Sequence, residues 1–315
     1  MNPLKRLRRG NPGDALFGVV AVLFGLSILA IMAGIIFQLW IQSSAARQEF
    51  GWSFLWSTEY DPQAEEYGAL VFVYGTLVTA AIAILLAGPV GVGIAAYLVE
   101  IAPPRLNRFV GFMVELLAAI PSIVYGIWGF FVLAPFLREY VVPVIQASPL
   151  GWLPIFGGTF FGPTVFTASI VLAVMILPTV AAVSRDVIGA VPRDQREGML
   201  ALGATRWEMF RWAVLPYARN GVLGAIILGL GRAAGETMAV TFIIGNKPQI
   251  FTSLFDQGAT IASQIAAQFP EAGGILLSVL IELGLVLFVI TIIINVGARL
   301  LVYLLSGAPK GGVRV

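Results

Sequence analysis

Six stretches of this chain stay apolar long enough to cross a bilayer, which takes roughly 20 residues at about 1.5 Å rise each across about 30 Å of hydrocarbon. They run over Ala15–Trp40, Ala69–Leu98, Phe109–Leu137, Thr164–Val183, Gly221–Ile244 and Ala272–Leu304. None shows the ten-residue alternation of a barrel strand, and a lipid-exposed backbone must satisfy its own N–H and C=O groups. The pattern therefore predicts an all-α integral membrane protein with six transmembrane helices. It divides the chain into a tail at 1–14, a first span at 15–40, an external segment at 41–68, a five-helix core at 69–304 and a second tail at 305–315. Arg138–Pro163, rich in Pro and Gly, reads as an external loop with a short helix. The run Lys5–Arg9 before an apolar stretch has the outline of a signal peptide. Ala15–Trp40 is too long for an h-region and has no convincing cleavage site, so it reads as a retained first helix.

Composition agrees with lipid as the solvent: 58% of residues are hydrophobic and only 11% charged, where a soluble domain carries roughly 25%. Cysteine and histidine are both absent, which excludes thiolate metal sites, disulfides and histidine-based catalysis. An even number of spans puts both tails on one side. Lys5, Arg6, Arg8, Arg9, Arg105, Arg108, Arg185, Arg193, Arg196, Arg206, Arg211, Arg219, Arg299, Lys310 and Arg314 flank one face, against Arg47, Arg138 and Lys247 on the other. By the positive-inside rule both termini are expected in the cytoplasm. The external segments carry Glu49, Glu59, Asp61, Glu65, Glu66, Glu139, Asp256 and Glu271, with Trp52, Trp56, Tyr60 and Tyr67. These fit an interfacial aromatic belt over solvated loops, or a docking surface for an external partner.

The one long cytoplasmic segment, 184–220, predicts a compact helix–turn–helix. Pro192 suits a first helical position, Asp194 and Glu197 favour the N-terminal end of a helix dipole, and Gly203 suits the position just past its end. Thr205, Arg206, Trp207 and Glu208 have capping-box spacing for a second helix, with Pro216 as its exit. The pattern Glu197-Gly-Met-x3-Gly203-x11-Leu215-Pro216 resembles the EAA loop of ABC-importer permeases, with Gly198 and Met199 in place of two alanines and Ala213 in place of an isoleucine. In that family the loop seats on a cytoplasmic ATPase, as an amphipathic helix fills a partner's groove. The resemblance assigns ATPase coupling to Glu197, Gly203, Thr205, Arg206, Leu215 and Pro216. The residues alone also suit an amphipathic helix on anionic lipid. None of Lys5, Lys247 and Lys310 ends a Walker A sequence, so if ATP drives transport its hydrolysis belongs on a separate subunit.

A charge near the bilayer centre costs about 2.5–3.5 kcal/mol, which singles out the few present. Arg232 lies about 17 Å into a span that starts at Gly221, with Glu236 one helical turn on and on the same face. Glu282 is expected at a comparable depth from the opposite direction, and Glu115 nearer the cytoplasm. Arg232 can be a structural ion-pair partner of Glu236 or Glu282, or an anion site, since a guanidinium is a forked oxyanion donor that stays charged. A carboxylate beside it suits phosphate, which still carries a proton near neutral pH, better than fully ionised sulfate. The glycines around Arg232 do not form a dinucleotide fingerprint, because no strand precedes them. Gly231 and Gly235 are expected to form a G-x-x-x-G surface for close helix approach, and Pro121 and Pro178 to kink their spans.

The run Gly229-Leu-Gly-Arg-Ala-Ala-Gly-Glu-Thr-Met-Ala-Val240, with Glu115-Leu-Leu-Ala-Ala-Ile-Pro-Ser-Ile-Val-Tyr-Gly126 and Ile176-Leu-Pro-Thr179 before Ser184-Arg-Asp186, resembles the permease subunit of phosphate-specific ABC importers, PstC type. The similarity spans about 74–245. It implies the type I ABC importer permease fold, a bacterial inner-membrane location, and a substrate pathway containing Arg232, Glu236, Thr237, Glu282 and Glu115. It also implies four kinds of partner: a homologous PstA-type permease, a PstB-type ATPase dimer, a PstS-type phosphate-binding protein and phosphate itself. Membrane lipid surrounds such a chain, and nucleic acid is not expected. ATP and Mg would sit on the ATPase, with no cofactor on this chain. A sulfate or molybdate permease, a passive anion channel and a membrane signalling subunit are the alternatives.

Overall fold

In the computed structural model, residues 12–306 are described. The basic run Lys5–Arg9 and most of the tail expected at 305–315, with Lys310 and Arg314, lie outside the described residues. Eleven helices organise the rest: α1 Pro12–Gln42, α2 Ser44–Phe50, α3 Leu70–Glu100, α4 Pro104–Ala119, α5 Ser122–Ala147, α6 Val165–Gly189, α7 Arg193–Ala201, α8 Arg206–Ala234, α9 Met238–Ile243, α10 Ile261–Gln268 and α11 Gly274–Ser306. Six of them, α1, α3, α5, α6, α8 and α11, are long and apolar enough to cross a membrane.

Helices α3, α6 and α8 form the centre of the bundle. Two-thirds of the apolar window of α6 is buried (67%), whereas none of that of α1 is (0%), so α1 presents its apolar side chains outward nearly all round. The centre closes on Val180. A Cβ at Gly91 of α3 would come within 3.0 Å of its side chain, and one at Gly229 of α8 within 2.8 Å, so the two glycines let three helices meet at one valine. The expected G-x-x-x-G contact at Gly231 and Gly235 is not the close approach: a Cβ at Gly231 would meet Asn295 at an ordinary 3.7 Å, and one at Gly235 only its own chain.

Proline chemistry explains where the predicted boundaries shift. The third span does not run over 109–137. Ile120 takes an extended conformation (φ −66°, ψ 128°), as a residue before proline prefers, and Pro121 separates the amphipathic α4 from the spanning α5. The span then continues to Ala147, so Arg138 and Glu139 belong to a helix and not to a loop. Pro135, Pro143 and Pro216 instead lie inside continuous helices. Each follows a π-helical turn, Gly129–Leu133, Leu137–Val141 and Phe210–Val214 respectively. A wider turn gives room where a proline ring would strike a carbonyl and where its missing N–H leaves one unpaired. Pro216 is therefore no exit, and α8 runs unbroken from the second half of the helix–turn–helix into the fifth span.

The segment between the fifth and sixth spans folds back into the bundle. Thr260 and Ser263 cap α10 reciprocally, and the Ile261 N–H donates to Thr76 Oγ1 of α3 (3.0 Å). On the same side Phe54, Tyr67 and Phe72 are buried, while Trp52 and Trp56 stay exposed. These aromatics thus divide between a small core and a surface.

Candidate functional site

The predicted fifth span is broken where Arg232 and Glu236 lie. α8 ends at Ala234, and Gly235–Thr237 are non-helical before α9 begins. Arg232 occupies the last turn of α8, where a cation offsets the negative end of the helix dipole. Its Nη1 donates to Thr179 Oγ1 on α6 (3.3 Å). Within the break, Glu236 accepts from the Ala239 N–H (3.3 Å) and so satisfies an orphan donor at the start of α9. Thr237 donates its hydroxyl to the Gly235 carbonyl (3.3 Å), holding the bend. Buried Ala233 and Ala234 fix this corner, while Arg232 is exposed and Glu236 and Thr237 are half-buried. Interrupted backbone at membrane depth is tolerated where protein buries it or a wet cavity meets it. The arrangement offers a guanidinium, a carboxylate and two hydroxyls around one bend, and Thr179 is the member that charge-based reasoning missed.

Glu282 lies elsewhere. It is 8% exposed and pairs with Arg47 Nη1 (3.1 Å), at the junction that follows α1. Gly231 faces Asn295 of α11, and Glu282 is 13 residues from Asn295, about 20 Å along the helix axis. The comparable depth expected for Arg232 and Glu282 is thereby corrected. Ser278, one turn before Glu282, accepts from the Ala46 N–H (3.0 Å) and donates to the Gln42 carbonyl (3.1 Å), so the neighbourhood of Glu282 clasps α2 onto α11. Glu115, on α4, is 3.7 Å from Arg185 near the C-terminus of α6, at the arginine-rich end of the bundle.

At that end the helix–turn–helix has the expected joints. Gly203 takes φ +87°, which favours glycine, and the Ala204 N–H reaches back to the Met199 carbonyl (3.2 Å). Thr205 and Glu208 form the capping box, with the Thr205 N–H donating to Glu208 Oε2 at 2.8 Å. Glu197 and Arg206 are exposed on the same unit as the exposed apolar residues Leu200, Leu202 and Trp207. Leu215 is half-buried and Pro216 exposed near the start of the spanning part of α8.

Arg196 fastens this unit to the bundle, a role that basic-residue counting does not reveal. Its Nη2 donates to Glu100 Oε1 of α3 (2.9 Å) and to the Ile188 carbonyl of α6 (2.8 Å), its Nε donates to Glu100 (3.1 Å), and its Nη1 donates to the Val191 carbonyl. One guanidinium thus ties α7 to the ends of two central helices.

A family profile for the inner membrane component of binding-protein-dependent transport systems matches residues 87–307. A Haemophilus influenzae protein named phosphate transport system permease protein PstC is 47% identical over 293 residues, covering 92% of this chain and 93% of that protein. A Mycobacterium tuberculosis protein named phosphate transport system permease protein PstC 2 is 42% identical over 302 residues, covering 93% of each. Among solved structures, a bacterial alginate ABC transporter in complex with its pentasaccharide-bound periplasmic protein aligns with a TM-score of 0.60 at 16% identity, over 99% of this chain and 100% of the other. An inward-facing MetNI methionine ABC transporter aligns with a TM-score of 0.58 at 19% identity, over 78% and 98%. At those identities the likeness carries the fold alone.

Proposed function

From the premise that this chain belongs to the family of inner membrane components of binding-protein-dependent transport systems, among its PstC-named phosphate permeases, we propose that it is the membrane-spanning permease of an ATP-driven phosphate importer. The observation that carries the site is the helix break at Gly235–Thr237, with Arg232 held on Thr179 just before it and Glu236 inside it. Arg232 supplies forked, permanently charged donors for an oxyanion. Glu236 is an acceptor for the proton that phosphate retains and sulfate lacks. Thr179 and Thr237 add hydroxyls that donate or accept as the anion turns.

In this reading the arginine-rich end faces the cytoplasm, with both termini, and α7 with the start of α8 rests on the ATPase. Exposed Leu200, Leu202 and Trp207 supply apolar contact, and Glu197 and Arg206 polar contact. The exposed face with Arg232 meets a homologous permease, and a phosphate-binding protein delivers from outside. ATP and Mg are held by the ATPase. Movement of α7 then pulls α3 and α6 through Arg196, and the bundle exchanges outward for inward access.

The test is uptake of radiolabelled phosphate into proteoliposomes holding this chain with its permease, ATPase and binding-protein partners, against excess unlabelled sulfate. ATP-dependent uptake that sulfate does not reduce, and that Arg232→Gln abolishes, supports the reading. Uptake without ATP discards coupling, and abolition by sulfate moves the substrate to oxyanions in general.

A further inference from the structure

A cavity of about 520 Å³ opens between α4 and the C-terminal end of α6, away from the break at Gly235. Asn107, Arg108, Glu115 and Arg185 supply its polar groups, and Phe112 its apolar wall. Room for Arg185 is made by Gly111, where a Cβ would collide with the guanidinium. Arg185 is weakly engaged. Its atoms lie 3.7 Å from Glu115 and 3.6 Å from Asp186, beyond the roughly 2.7–2.9 Å of a charge-assisted hydrogen bond. Among the described residues no hydrogen bond is drawn from Arg185, whereas Arg196 spends its donors on Glu100 and two carbonyls. Arg185 is thus a cation with free donors, three-quarters buried, aimed into a polar cavity.

The cavity repeats the chemistry at the break: a guanidinium, a carboxylate and a neutral polar side chain. It also lies on the same helix. Thr179, which holds Arg232, and Arg185, which lines the cavity, are six residues apart on α6, about 9 Å along the axis. We propose that this cavity is a second phosphate site at the cytoplasmic mouth, where Arg185 and Arg108 donate to the anion leaving Arg232 and Glu115 accepts a hydrogen bond from its protonated oxygen. The proposal rests on the phosphate reading above. Binding replaces the two long ion pairs of Arg185 with short bonds to phosphate oxygens, and release restores them.

Because the chain has no cysteine, a single Phe112→Cys substitution on the apolar wall reports occupancy through its rate of labelling by an impermeant maleimide. The assembled importer is used in vesicles with the ATPase side outward, and inorganic phosphate or sulfate is added to that side. The expected result is slower labelling with phosphate and not with sulfate, about tenfold slower at ten times the half-protecting concentration by mass action. Arg185→Gln and, separately, Arg108→Gln abolish the protection, and Arg185→Lys retains part of it. Absence of protection in an importer that still takes up phosphate overturns the proposal, as does equal protection by sulfate. Protection that follows the anionic lipid content of the vesicles and ignores added phosphate assigns the cavity to a lipid headgroup, which also overturns it. If the importer carries no phosphate at all, the proposed function fails first, and uptake read beside labelling tells the two failures apart.

Discussion

Arg196 and Glu100 meet at 2.9 Å, joining a surface helix to the end of a central one across 96 residues of sequence. Both side chains are mostly buried, at 17% and 10% exposure. Removing one partner of a buried pair strands the other, a loss of about 3–5 kcal/mol. Arg196 keeps its two carbonyl acceptors, which favours the lower end for Glu100→Gln. If this contact transmits motion, Glu100→Gln lowers phosphate uptake more than ATP hydrolysis by the assembled importer. The ratio of the two rates, measured on one preparation, checks it, and equal loss of both reduces the pair to a structural role.

The Arg47–Glu282 pair makes the opposite prediction. Glu282 lies about 20 Å along α11 from the level of Arg232 and serves the clasp of α2 on α11. Glu282→Gln is therefore expected to lower the thermal stability of the solubilised complex while leaving the KM for phosphate uptake unchanged. A raised KM with unaltered melting would return Glu282 to the substrate pathway.

Local chemistry was legible and tertiary chemistry was not. The capping box at Thr205 and Glu208 and the turn at Gly203 depend on neighbours within four residues, and both lie where the sequence puts them. Apolar length likewise located six spans. Proline was ambiguous: Pro121 divides a predicted span, whereas Pro216 is absorbed by the π turn at Phe210–Val214. For the charged groups, type and depth identified Arg232 as a candidate, but its partner Thr179 comes from a helix 53 residues away. The partner of Glu282 is 235 residues away, and no periodicity encodes either pairing. Helix α10 escaped because eight residues with a Thr–Ser cap sit in a segment that reads as an external loop.

Tyr60, in the segment between α2 and α3, offers a pH test. Burial pushes its phenol up from 10.0 to about 12, with the charge of Tyr67 adding to the rise, while the hydroxyl donates to Gln268 Oε1. A raised phenol favours the folded state fully below the unfolded value near 10. The stabilisation is lost as pH rises through about 12. Spectrophotometric titration is expected to show a tyrosine ionising late that is absent in Tyr60→Phe, and the segment between α2 and α3 losing protection from protease over the same interval. Normal titration of every tyrosine would show that the segment is open.

Glycine substitutions separate the two candidate close contacts in α8. A Cβ at Gly229 would lie 2.8 Å from Val180 and 3.2 Å from Ile84, both inside a packed centre that cannot give way cheaply. Gly229→Ala is expected to cost about 1–3 kcal/mol by overpacking. Gly231→Ala meets Asn295 at 3.7 Å, an ordinary contact, and gains up to about 1 kcal/mol of helix propensity. Thermal unfolding of the two variants should therefore shift in opposite directions. If Val180→Ala restores Gly229→Ala, the collision is confirmed as the cause, because the truncated side chain vacates the space that the new methyl needs. If Gly231→Ala proves the more damaging of the two, the G-x-x-x-G surface and not the Val180 crossing governs how α8 packs.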